Sequence, residues 1–158
     1  MSALKKLSKK RKPKTKQKLI DECATLLQRL VRLKAADHQG CVKCVSCNKV
    51  ARWQDMQGGH YIERGRLATK LLEENIHPQC QYCNAFGMSN STHCRENYRR
   101  YMIDMYGEDF HKQLFAISLK PKKYSMPEVR DMLADLKERV KEQEAQLESL
   151  RPTQEDDY

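Results

Sequence analysis

The sequence predicts an α+β chain, mostly helical, organised around a small zinc-stabilised module. Three observations predict it. The pairs Cys44-x-x-Cys47 and Cys80-x-x-Cys83 stand about thirty residues apart, the pattern of a tetrahedral zinc site. Around and after the first pair lie short segments suited to strands, with Val42, Val45 and Val50 ahead of the glycine pair Gly58-Gly59. On either side, apolar residues recur at three- and four-residue steps, the period of an amphipathic helix.

Residues 1–15 are rich in lysine, poor in apolar side chains and broken by Pro13, which predicts an arm disordered until bound. The 16–40 segment predicts a helix from Lys16 to about Asp37, with Leu19, Cys23, Leu26, Leu27, Leu30 and Leu33 on one face packed on the core. His38-Gln39-Gly40 ends it. Residues 41–92 hold the module: a zinc knuckle, a short hairpin, and a tight turn or bulge at Gly58-Gly59 presenting His60. A charged loop over 63–75 and a short helix over 84–90 complete it.

The 93–120 segment predicts a helix over 93–106 with Tyr98, Tyr101, Met102 and Met105 on one side. Gly107 breaks it, and a second helix follows from Glu108 to about Ile117. In 124–151, Ser125 and Glu128 form a capping box with Pro127 in the first turn, opening a helix to about Leu150. Val129, Leu133, Leu136, Val140, Gln143, Leu147 and Leu150 follow a 4-3 rhythm. That heptad seam suits a homodimeric coiled coil or an arm lying on its own domain. Residues 152–158 form an acidic tail.

The net charge is +9, and the first eighteen residues hold nine lysines and arginines and no acid. The whole excess therefore lies in one arm, which predicts a polyanionic partner, most simply DNA, reached through Lys9, Lys10, Arg11 and Lys12. A solubility tail or a nuclear-type signal is the blander reading. No apolar run approaches a membrane span and no signal peptide is visible. The odd count of seven cysteines fits metal-bound thiolates in a reducing compartment, hence a cytoplasmic protein, better than a disulfide scaffold.

Four thiolates close the shell of a zinc ion, so this zinc is expected to be structural, with any chemistry beside it. His60, between the knuckles and after two glycines, is the first candidate. Asn84 directly follows the last cysteine, and Asn75 stands five residues before Cys80. A four-cysteine site that only holds a fold is the competing reading. Whether Cys41 replaces Cys44, and what Cys23 and Cys94 do, stays open.

These residues resemble a known family. Cys-x-x-Cys, Gly-His, Asn and Cys-x-x-Cys-Asn in that order look like the ββα-metal, or HNH-type, nucleases. More closely, Trp53-x-Asp55-x-Gln57-Gly-Gly-His60-Tyr61-Ile62-x-Arg64, followed by Asn75-Ile-His-Pro-Gln-Cys80-x-x-Cys83-Asn84, is similar to the NinG/Rap phage recombination endonucleases. The likeness continues through Gly87, Tyr98, Tyr106-Gly107 and the late helix. It covers roughly residues 40–140 and fades in the basic arm.

The resemblance implies a ββα-metal module and a magnesium- or manganese-dependent enzyme of the Holliday junction resolvase type, cutting branched DNA in the host cytoplasm. It implies His60 as general base, Asn84 as a ligand of the catalytic ion, and Asn75 as the residue pinning the loop that carries the histidine. The related endonuclease VII has an aspartate directly before its histidine as a second ligand. Here Gly59 stands there, and Asp55 is the nearest acid on that side. A neutral imidazole can take a proton from the attacking water, and a hard ion held by oxygens can stabilise charge on the phosphate. Arg64 and Arg66 could grip that phosphate or simply be solvated, and His77 could be a spectator. The rival from another class is a non-catalytic, zinc-stabilised DNA-binding or adaptor protein. A sequence-reading HNH enzyme would need a recognition domain that the chain gives no sign of.

Overall fold

The computed structural model describes residues 12–151. Lys9, Lys10, Arg11 and the 152–158 tail lie outside the described residues. Helix α1 (Lys16–Ala35) starts where the Thr15 hydroxyl accepts from the Lys18 N–H. Its apolar face buries Leu19, Ile20, Cys23, Leu27, Leu30 and Leu33. Opposite lies the last helix, Met126–Ser149, opened by the Ser125/Glu128 capping box. Val129, Leu133, Leu136, Val140 and Leu147 of that helix join the α1 residues in one buried cluster, with Ile76 and Tyr124. The heptad seam is therefore spent inside the chain, and the reading of an arm on its own domain is the one realised. Leu150, the seam residue left 55% exposed, lies past the helix end and cannot carry a coiled-coil dimer alone.

Between these helices in sequence come two antiparallel hairpins, and α1 packs on the second of them. Strand β1 (Cys41–Lys43) pairs with β2 (Val50–Arg52), and the first Cys-x-x-Cys forms the turn between them. Strand β3 (Gln57–His60) pairs with β4 (Ile76–Gln79). Their 61–75 connection contains the short helix α2 (Leu67–Lys70). After β4 the chain makes a π-helical turn (Cys83–Gly87) and the short α3 (Met88–Asn90). Then come α4 (Thr92–Tyr106), α5 (Glu108–Ser118) and the long closing helix, α6. Gly107 takes φ +87°, a conformation that separates α4 from α5 and suits glycine.

The glycine pair before His60 does not make the expected turn or bulge. It lies within β3, paired residue for residue with β4. Its glycines are there for space. A Cβ on Gly58 would stand 2.6 Å from the Gln28 Cβ and 2.7 Å from the Gln28 Cα, so α1 packs directly on the strand backbone. A Cβ on Gly59 would overlap the Gln79 side chain, 1.8 Å from its Oε1. Close approach, a second use of glycine in strands, explains the pair.

Candidate functional site

The first part of the site is built by turns. In the Cys44–Cys47 knuckle, the Asn48 N–H returns to the Cys44 carbonyl at 2.9 Å, and Asn48 adopts φ +63°. In the second knuckle the Cys83 N–H points at the Cys80 sulfur, 3.5 Å away. The sulfurs of Cys44, Cys47, Cys80 and Cys83 all lie within 4.8 Å of one another. Four thiolates about 2.3 Å from a central zinc would stand about 3.8 Å apart, so this cluster is able to hold one ion. Cys41, at the start of β1, is not in the cluster. Cys94 lies behind it, its sulfur 3.5 Å from that of Cys83, and Gly87 leaves the room for it. Cys23 is buried in the α1–α6 interface, 3.7 Å from the Val129 carbonyl.

His60 is the last residue of β3, and only 8% exposed. Its Nε2 lies 2.9 Å from the Lys70 carbonyl. A carbonyl can only accept, so Nε2 carries the proton and Nδ1 the lone pair. Nδ1 is buried and has no hydrogen-bond partner among the described residues. Burial, more than the nearby Arg64 and Lys70 charges, pushes the imidazole pKa down to about 4, against a weaker upward pull from the Lys70 carbonyl. The ring is neutral at pH 7.

Asn75 shapes the loop that His60 leans on. Its Oδ1 accepts from the Ile62 N–H at 2.8 Å, and its Nδ2 donates to the carbonyls of Ile62 and Thr69 at 3.0 and 3.1 Å. Thr69 and Lys70 are neighbours, so Asn75 and His60 hold adjacent carbonyls of α2. The Lys70 ammonium ties the same turn to Asp21 of α1 at 2.6 Å.

His77 is no spectator to the packing. The Tyr98 hydroxyl donates to the Gly59 carbonyl at 2.6 Å and so accepts from His77 Nδ1–H at 3.1 Å. His77 Nε2 then accepts from the Tyr106 hydroxyl at 2.9 Å. This relay of hydrogen bonds from α4 through β4 to β3 ends on the residue before His60. No local sequence pattern signals it, because its members are brought together only by the fold.

Asn84 sits half-buried in the π-helical turn, where its Nδ2 donates to Gln57 Oε1 at 2.6 Å. That bond leaves Oδ1 as the open end of the amide. Gln57 thus orients Asn84. Its sequence signal is its place two residues before Gly59, on the same strand face. Gln79 is also on that face, fully buried, with Nε2 on the Ser46 hydroxyl and Oε1 unpartnered. Its Oε1 fills the space where an aspartate at position 59 would begin. The strand pairing turns His60 the other way, toward Ile76 and α1. His60 and Asn84 therefore lie on opposite faces of the β3–β4 hairpin, and can address one group only around its end. Asp55, Arg64, Arg66 and Lys12 are all exposed. Asp55 faces a cavity beside the four-cysteine cluster, and no hydrogen bond joins it to Asn84 among the described residues.

A family model described as bacteriophage Lambda NinG protein matches residues 2–146. The match takes in the basic arm, where the motif likeness faded. No curated protein and no solved structure matches the chain. Among the described residues, no helix is long and apolar enough to cross a membrane.

Proposed function

We propose, from the premise that this chain belongs to the bacteriophage Lambda NinG family, that it is a metal-dependent endonuclease cutting branched DNA during phage recombination. In this reading β3, β4 and the helical turn after them are a ββα-metal module, and the four-cysteine zinc stabilises it. The observation that carries the reading is the state of His60. Its Nε2 is engaged by a backbone carbonyl, while Nδ1 keeps a lone pair that no group among the described residues uses. Buried polar atoms are seldom left unpaired without a task.

His60 Nδ1 takes the proton of the attacking water, and the Lys70 carbonyl steadies the imidazolium that results. Asn75 holds the adjacent Thr69 carbonyl, and through it the turn that presents Lys70. A magnesium or manganese ion, when bound, would stabilise charge on the phosphate and the leaving oxygen. Asn84 Oδ1 would hold it, being a neutral oxygen of the kind such ions take. Gln79 Oε1, not Asp55, is the unpartnered oxygen nearest the place of the missing aspartate. Arg64, Arg66 and Lys12 are exposed cations suited to phosphates, contacts that are salt-sensitive and blind to sequence. A four-branched substrate needs two cuts and so favours two copies of the chain, joined by some surface other than the spent heptad seam.

The competing reading is a zinc-stabilised DNA-binding protein without chemistry. It is favoured by the burial of His60 Nδ1, which closes the base to water in this conformation, and by the placement of His60 and Asn84 on opposite faces of the β3–β4 hairpin. Catalysis by both groups on one phosphate requires the chain around His60 to open and the DNA to bind across the end of that hairpin. The test is cleavage of a synthetic Holliday junction, D-loop and flap by zinc-loaded protein with magnesium or manganese. The wild type should cut, His60→Ala should bind without cutting, and Asn84→Ala should need far more metal. Intact substrates throughout, with normal binding, would leave the competing reading standing.

A further inference from the structure

Tyr82 and Phe86 are left unused by the chemistry above. They stand one helical turn apart on either side of Asn84 in the sequence, 63% and 57% exposed. Their ring centroids are 6.4 Å apart. Both line a cavity of about 550 Å³ that opens beside the cluster cysteines Cys47 and Cys80, with Lys49, Asp55, Met56 and Gln81 among its other walls. That size is typical of pockets for small organic groups. Large aromatic side chains are rarely left bare together on a soluble surface without a partner. The neighbouring β1–β2 hairpin exposes Lys43, Lys49 and Arg52, with no ion-pair partner for any of them among the described residues.

We propose that this cavity receives one unstacked nucleobase from the branch point of the DNA. The proposal rests on the endonuclease reading, and it supplies the feature by which a branch is told from plain duplex. The mixture of groups argues for a base. Tyr82 and Phe86 offer π faces, on which any base can stack. Asp55 offers an acceptor for a base N–H, where a simple phosphate site would exclude a carboxylate. Lys49, on the cavity wall, and Arg52, exposed on the same hairpin, are placed for the flanking phosphates. An uninterrupted duplex keeps its bases stacked and cannot fill the cavity. A branch point or single-stranded flank has a base free to enter.

The experiment uses full-length, zinc-loaded protein without magnesium or manganese, so binding is read apart from cutting. The probes are a flap and a Holliday junction carrying 2-aminopurine beside the branch, with a linear duplex as control. Wild-type protein should change the emission of the branch-point 2-aminopurine. Tyr82→Ala and Phe86→Ala should each weaken branched-DNA binding by about 5- to 150-fold, the range for losing one base–aromatic stack. Both should leave linear-duplex binding within about twofold, and Tyr82→Phe should behave as wild type. Unchanged branched-DNA binding by the doubly substituted protein would overturn the proposal and give the patch to a protein partner. An equal loss on linear duplex would overturn it too. Failure of the endonuclease reading is separable: the wild type would then show this binding difference and cut nothing with magnesium present.

Discussion

Replacing Asn75 by alanine removes three buried hydrogen bonds at once, and its cost can be worked from their geometry. The side chain is fully buried and spans 2.8, 3.0 and 3.1 Å to the Ile62 N–H and the carbonyls of Ile62 and Thr69. Each such bond contributes about 0.5–1.5 kcal/mol net, and each buried group left unpaired costs about 1–3 kcal/mol. A water entering the vacated amide space recovers part of this, so the expected loss is about 4 kcal/mol. For a chain of this size that lowers Tm by about 8–16 °C. Asn75→Asp should do no better. It keeps the acceptor for Ile62 N–H, but turns a carboxylate toward two carbonyls that need donors. The assay is thermal unfolding followed by circular dichroism in zinc-containing buffer. Cleavage is then measured well below the lowered midpoint, where kcat should still fall because the Lys70 carbonyl no longer steadies His60. A loss under about 1 kcal/mol, or an Asn75→Asp protein as stable as wild type, would refute the assignment of the loop to these bonds.

Stability should also depend on acid. Burial pushes His60 and His77 down to about 4. Between the unfolded value near 6.5 and that folded value, the unfolded chain binds protons that the folded one refuses. Stability is therefore complete above about pH 6.5 and falls as pH drops toward 4, by up to about 2.7 kcal/mol per pH unit for the two rings together. His60→Ala should roughly halve that slope in urea titrations at fixed zinc, and an unaltered slope would remove His60 from the account. Gly59→Asp, which would recreate the aspartate of endonuclease VII, should destabilise the protein, since its Cβ overlaps Gln79 Oε1. Adding Gln79→Ala should restore much of the loss, read as the coupling in a double-mutant cycle. Gly58→Ala presses on the backbone of α1 and should cost about 1–3 kcal/mol in denaturant titration. A zinc chelator should lower Tm sharply while leaving most helical signal from α1 and α6, whose interface holds no cluster cysteine. Loss of all helix on chelation would contradict that separation.

Much of this protein can be read along the chain, where the determinants are local. The four clustered cysteines are legible because a Cys-x-x-Cys turn brings two sulfurs together whatever surrounds it. The capping box at Ser125, the break at Gly107 and the apolar stripe of α1 depend on near neighbours in the same way. The sequence by itself could also bring His60, Asn75 and Asn84 forward by their order around the knuckles. It could not say how they are used. That Gly58 and Gly59 serve close packing, not a turn, depends on Gln28 and Gln79, distant in sequence. That the heptad seam meets α1 and not a second copy depends on a partner face more than ninety residues away in order. The bonds that orient His60 and Asn84 come from Lys70 and Gln57, and the relay behind them from His77, Tyr98 and Tyr106. A linear pattern specifies period and spacing, so it determined the elements and the thiolate cluster. Only tertiary packing decides which faces meet, and it turned the imidazole and the amide to opposite sides of one hairpin.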